Sequence, residues 1–308
     1  MENVTRRAVL AASGLVGAQF MALLPSQAAP KTLGPSTPVA PAGSKLLHDA
    51  NFGSLGFSQY KNLHPEKLVI GRDLGTTTDP AGSGEIVAWF DSKHGVKHAS
   101  NKYARSSVES PARVYSTAHG NTSSVYAHRF SFYVPHSSAF TSTAHWTCVG
   151  EVHGAPWRTA SRSVIALVFN PKTGNHYLRM GDDVSLLKEK DTIVPLGKWV
   201  DIVVHFNYNY RSRGGWIQLF MNTTGKRNAG WKAVPVAGSK GRHRDNLISD
   251  NEGNGWYKNK QVPAPTPRIG VYGNQSIKLY FREHKLGRSV RDVLGSGWDG
   301  KVDGVTYK

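Results

Sequence analysis

The feature that most constrains this chain is an apolar pattern of period two, repeated in short runs with no long helical period among them. In residues 198–206, Val200, Ile202, Val204 and Phe206 share one face while Trp199, Asp201 and His205 share the other. In residues 216–222, Ile217, Leu219 and Met221 alternate against Trp216, Gln218 and Phe220. Half-buried strands follow from such runs, and the same reasoning predicts strands over 85–90, 113–116, 125–134, 146–153, 164–170, 176–180 and 268–272. The 32 glycines and 16 prolines fall between the runs, where turns are needed. Many antiparallel strands with few helices can bury their apolar faces only against one another, so the fold class is all-β: a β-sandwich jelly roll of two antiparallel sheets with a concave groove.

Charge and cysteine content narrow the class of partner. Lys and Arg outnumber Asp and Glu by 38 to 21, a formal charge of +17, which suits a polyanionic ligand. The single cysteine, Cys148, has no second cysteine in the chain to bridge to, so stability rests on packing and backbone pairing. Arg6 and Arg7 precede a mildly apolar run to Leu24 and a small-residue site at Ser26-Gln27-Ala28-Ala29. This predicts an export signal of the twin-arginine kind over 1–29 and a secreted or periplasmic protein. Residues 30–44 form a Pro/Ser/Ala linker, and one domain is expected over 45–308, with no stretch apolar enough to span a bilayer.

Several chemistries lack their residues. No Glu-x-Asp-x-x-Glu strand offers the paired carboxylates of a glycoside hydrolase, and no Gly-x-Ser-x-Gly elbow, His-Glu-x-x-His helix or phosphate loop is present. The acids Asp182, Asp183, Asp299 and Asp303 are too scattered for a calcium cage, so no metal or cofactor is expected. β-Elimination on an acidic polysaccharide needs neither a nucleophile nor paired acids. It needs a neutraliser for the uronate carboxylate, a base for the C5 proton and an acid for the leaving oxygen, and His and Tyr can supply the last two. In 146–154, alternation puts Glu151 and His153 on one face, with Val152 behind. In 268–275 it puts Arg268, Gly270 and Tyr272 on one face, and the glycine leaves room for a ligand to approach the backbone.

The string Arg268-Ile-Gly-Val-Tyr272 resembles the Lys-x-Gly-Val/Ile-Tyr strand of alginate lyases and of the heparin lyase I/glucuronan lyase group. Glu151-Val-His153 sits where those families carry Gln-x-His, and Leu196–Val200, Gly214–Asn222 and Tyr126–Pro135 follow the same order along the chain. The resemblance spans roughly residues 45–285 and implies a jelly-roll polysaccharide lyase. Carried over, Tyr272 is the catalytic acid/base, His153 the neutraliser or base, and Arg268 a cation for a uronate or subsite anion. Gln275 follows the inserted Gly273 in the substrate-binding stretch. Glu151 departs from the family glutamine; an ionised carboxylate there repels an anionic sugar unless it stays protonated or orients His153. Arg113 is the candidate arginine from an early strand, with Glu109 and Tyr115 as weaker options. Trp199, Trp216 and Gln218, on the non-core face of their strands, are candidates for stacking on and bonding to sugars.

A lectin-like binder of acidic glycans without turnover is the alternative, resting on the same tryptophans and on Glu151. Nucleic acid is not an expected partner, because no nucleic-acid-binding module is present. The stretch 223–267 is long enough for a lid over the groove.

Overall fold

Period-two alternation has become two antiparallel sheets. The computed structural model describes residues 46–52, 57, 60, 74–92, 104–115, 124–153, 164–180, 187–208, 215–235, 266–302 and 305–306. The predicted export signal and linker lie outside the described residues, as does 236–265, most of the expected lid. All described elements belong to one compact unit, Thr37–Lys308.

The strands are β1 (Leu46–Asn51), β2 (Leu74–Thr78), β3 (Ile86–Asp91), β4 (Ala104–Glu109), β5 (Val125–Tyr133), β6 (Trp146–His153), β7 (Ile165–Asn170) and β8 (Asn175–Met180). They continue with β9 (Trp199–Asn207), β10 (Trp216–Asn222), β11 (Lys232–Val234), β12 (Thr266–Gly273), β13 (Lys278–Gly287), β14 (Lys301–Val302) and β15 (Val305–Thr306). One short helix, α1 (Val290–Leu294), follows β13. The larger sheet runs β11-β10-β9-β5-β13-β3-β2 with β1 also paired to β13, and the five-stranded sheet runs β4-β12-β6-β7-β8. This is the β-sandwich jelly roll that the alternation predicts.

The core lies between the sheets. Phe130, Phe132, Val200, Ile202, Val204 and Phe281 from the larger sheet meet Val108, Val149, Ile165, Leu167, Ile269 and Val271 from the smaller. Each such side chain contributes about 1.5–3 kcal/mol when fully buried. The sheets leave no room for a side chain at Gly150, where an added Cβ would lie 2.3 Å from the ring of Phe130. Phe130 is itself fully buried and has nowhere to retreat. Gly150→Ala is therefore expected to lower stability by ~1–3 kcal/mol through overpacking, read as a fall in thermal midpoint. An unchanged midpoint would show that the ring has room to move.

The far face of the larger sheet is also covered. Ala127, Val203 and Phe220 pack beneath Trp231, Val290, Val293, Leu294, Trp298 and Val302. The helix that forms this cover is held by a capping box between Ser289 and Asp292, and Arg129 donates to the carbonyl of Val293 (3.1 Å). A sheet buried on both faces reads as a near-continuous hydrophobic run, which is why β9 and β10 carry apolar groups such as Val203 and Phe220 on the side opposite the main core.

The predicted strand 113–116 is not one: residues 110–115 are irregular, and the strand is β4, which ends at Glu109. Among the described residues no helix is long and apolar enough to cross a membrane.

Candidate functional site

In the five-stranded sheet β12 is held between β4 and β6. Register brings Arg268 opposite both Glu109 and Glu151, Gly270 opposite Ser107, and Tyr272 opposite both Arg105 and Cys148. Arg268, Gly270 and Tyr272 thus share the face that alternation predicts, with Ile269 and Val271 in the core behind them.

Two glycines in β12 are required by this geometry. Gly270 has φ of 134°, and a Cβ there would lie 2.4 Å from the carbonyl oxygen of Ser106. Gly273 has an ordinary φ, but a Cβ would reach 2.0 Å from the carbonyl oxygen of Trp146. The neighbouring backbones therefore close on β12 at two points only glycine allows. Between them the pairing with β6 shifts register, from Ile269 opposite Gly150 to Tyr272 opposite Cys148. This irregularity sets the position of Tyr272. The Tyr272 amide donates to Thr147 Oγ1 (3.1 Å), and its half-buried ring packs edge-on against Trp146, with centroids 5.9 Å apart.

At the other end of β12, Arg268 is buried. Its Nη1 donates to Glu151 Oε1 at 2.5 Å and its Nη2 to Glu109 Oε1, while Glu109 Oε2 accepts from Thr266 Oγ1 (3.1 Å). Arg268 was expected to meet a substrate anion; instead both terminal nitrogens are held by protein carboxylates. Glu151, which the sequence reading found troublesome beside an anionic sugar, is the partner of this guanidinium.

His153 ends β6 with its backbone paired to Thr266; its side chain lies outside the described residues. Arg113 is exposed and four residues past the end of β4. Tyr115 is half-buried nearby, its amide donating to the hydroxyl of Tyr126 (3.0 Å). The early-strand arginine that register brings opposite Tyr272 is Arg105, which the sequence pattern groups with Lys102 in a basic loop and the structure places in β4. Its signal was the polar alternation of Arg105, Ser107 and Glu109, obscured because the inward positions include buried Ser106. The Arg105 side chain also lies outside the described residues.

The remaining candidates are elsewhere. Gln275 stands in the turn after β12, where its carbonyl accepts from Ser92 Oγ (2.9 Å) and its side-chain Oε1 is buried without a hydrogen bond. Trp199, Trp216 and Gln218 belong to the larger sheet, not to the sheet of Tyr272. Trp199 is buried against Val87 and Tyr133, donates to Asp79 Oδ1 (3.0 Å) and lies under the Arg282 guanidinium at 4.8 Å. Trp216 packs edge-on to His205 at 4.8 Å, and Gln218 is buried. These three lie in the opposite layer of the sandwich from Tyr272.

Among the described residues, no group of three or more His, Cys, Asp or Glu side chains is arranged to hold a metal ion.

Comparison with known proteins agrees with this architecture. The sequence model of the family described as Polysaccharide lyase matches residues 54–284. No curated protein sequence matches the chain significantly. The catalytic domain of a glycoside hydrolase family 131 protein from Coprinopsis cinerea is similar in structure at 10% identity and a TM-score of 0.50, over 82% of this chain and 98% of that one. A marine PL-14 alginate lyase from Aplysia kurodai is 11% identical at a TM-score of 0.41, over 75% of this chain and 92% of that one. An alginate lyase from Klebsiella pneumoniae is 11% identical at a TM-score of 0.42, over 70% and 85%. At 10% identity the Coprinopsis cinerea structure bears on the fold alone. The family match covers most of the chain, including β4, β6 and β12, so this protein is a member of the polysaccharide lyase family.

Proposed function

We propose that the protein is exported and cleaves a uronic-acid-containing polysaccharide by β-elimination, with its chemistry on the outer face of the five-stranded sheet. The observation that carries this reading is β12: Tyr272, half-buried on the outer face of a strand held between β4 and β6, stands in register with an arginine position, Arg105.

In this reading Arg105, across from Tyr272, neutralises the uronate carboxylate and so makes the C5 proton acidic. Arg105 takes over the role first given to Arg113, which lies beyond the strand end. Tyr272 as phenolate removes the C5 proton; register puts His153 opposite Thr266, six positions along β12 from Tyr272 and roughly 20 Å away, beyond the reacting sugar. The electron pair forms the C4–C5 double bond, the C4–O bond breaks, and the Tyr272 hydroxyl protonates the departing glycosidic oxygen. The product is a chain with a 4,5-unsaturated sugar at its new non-reducing end. The +17 charge of the chain draws a polyanion toward the protein.

The test is direct. Incubation with alginate, polyglucuronate, heparin, hyaluronan and pectate is expected to give ultraviolet absorbance from the conjugated product on at least one of them. Chain shortening without that absorbance would exclude elimination. Binding on every polymer without turnover would favour a lectin-like role instead.

A further inference from the structure

Resting on the lyase reading, one buried hydroxyl bears on how Tyr272 is held for proton transfer. Thr147 stands in β6 opposite Gly273 of β12 and Leu167 of β7, and Leu167 belongs to the core between the sheets. Residues directly opposite in a ladder share a face, so Thr147 takes an inward position, where it is fully buried. A hydroxyl costs more to bury there than the methyl of an isosteric valine, unless hydrogen bonds offset the cost. The Thr147 hydroxyl accepts from the Tyr272 amide (3.1 Å) and donates to the carbonyl of Cys148 (3.4 Å), the residue opposite Tyr272.

These bonds fall where the β12–β6 pairing loses its regular register, between Ile269 and Tyr272. In a regular antiparallel ladder strand amides are met by carbonyls; at this step the Tyr272 amide is met by a side-chain oxygen. The preceding residue, Trp146, meets the Tyr272 ring edge-on. Trp146 is itself tied to the end of β12, its amide donating to Asn274 Oδ1 (3.1 Å). Two successive residues of β6 thus hold one residue of β12, at its amide and at its ring. A misplacement of about 1 Å in a reacting group can cost on the order of a hundredfold in rate. A small tilt of the backbone grows along the side chain to the phenolic oxygen. We infer that Thr147 is a positioning residue for Tyr272: its hydroxyl sets the angle at which the tyrosine leaves the strand, and it supports the rate from inside the core without touching sugar.

The experiment compares Thr147→Val, Thr147→Ser and Thr147→Ala with the wild type on its best polymer. It reads kcat for unsaturated product, polymer affinity and thermal midpoint, with rates taken well below the lowest midpoint. Valine keeps the shape and removes the acceptor; serine keeps the acceptor and removes a methyl. Thr147→Val is expected to lower kcat on the order of tenfold or more, with polymer affinity unchanged. Thr147→Ser is expected to keep most of the wild-type kcat even where the lost methyl lowers its midpoint. A merely structural hydroxyl would move the midpoints and leave kcat where it was. A wild-type kcat in Thr147→Val overturns the inference, as does an equal loss in Thr147→Ser. Where Thr147→Val does not fold, Thr147→Ser against Thr147→Ala decides: both lack the methyl and only alanine lacks the acceptor, so equal kcat values overturn it. A wild-type protein that forms no unsaturated product is a failure of the lyase reading itself, and the inference falls with it.

Discussion

Tyr272→Phe is expected to lower unsaturated-product formation on the best substrate by roughly a hundredfold or more, the usual worth of a positioned proton donor. The variant removes one oxygen and keeps the ring, so the edge-on contact with Trp146 and the amide bond to Thr147 persist. The loss should therefore fall on kcat, with the affinity for polymer changed far less and the thermal midpoint close to wild type. Steady-state rates and a parallel binding titration separate these quantities. A variant that turns over at the wild-type rate would remove Tyr272 from the chemistry while leaving the family assignment intact. A loss confined to binding would give Tyr272 a role in gripping sugar instead.

The second large effect is on stability in acid and arises in the core. His48 from β1, His128 from β5 and His284 from β13 meet among the inward-facing residues, with ring centroids of His284 lying 5.0 Å from His48 and 5.1 Å from His128. Buried Tyr60 closes the cluster through a 2.7 Å hydrogen bond between its hydroxyl and His284 Nδ1. Both ring nitrogens of His128, and Nε2 of His48 and His284, have no hydrogen-bond partner. Burial pushes His48 down to about 4 and, with the neighbouring His48 adding a smaller effect, His128 to about 3; burial also holds His284 well below its ordinary value.

The folded protein thus keeps these imidazoles neutral where the unfolded chain would charge them. Below the ordinary value of 6.5 the unfolded state binds more protons, so stability is full above that pH. It falls as the pH drops toward about 3 to 4, where the folded state also titrates. The loss is on the order of 3 kcal/mol for one such group, and three coupled groups exceed it. Denaturant titrations at neutral pH and at about pH 4.5 should show a steep decline in the wild-type protein. His128→Leu should flatten it, and should be neutral or stabilising at pH 7, because it removes two unpaired buried nitrogens in favour of apolar contact. A slope identical to wild type would mean that other groups set the acid limit.

The strands with clean alternation were legible in advance: β5, β6, β9 and β10 lie within a residue or so of where the pattern put them. Those hidden from the pattern are the ones that mix layers. In β13 the buried positions include Arg282, Glu283 and His284, so its ten residues carry no apolar rhythm despite pairing with three strands. In β4 the buried serines 106 and 107 mask the alternation that would have exposed Arg105. Which residues share a face was legible where the pattern is local to one strand, as with Arg268, Gly270 and Tyr272. What they meet was not legible, because that depends on which strands become neighbours. Trp199 and Trp216 stand on non-core faces as predicted, but alternation says which side of a strand a residue takes, not which sheet the strand joins. The ionic partners of Arg268 were hidden for the same reason, since Glu109 lies 159 residues away in sequence.

That separation has a consequence for biogenesis. Within the five-stranded sheet, β4 pairs with β12 alone, and β6 keeps one side open until β12 arrives. A nascent polypeptide must therefore be synthesised to about residue 273 before β4 finds its mate and the open side of β6 is filled, leaving unpaired ribbon exposed to other chains in the interval. Release of the polypeptide before Thr266 leaves a product without the ribbon that joins β4 to the rest of its smaller layer, one expected to aggregate.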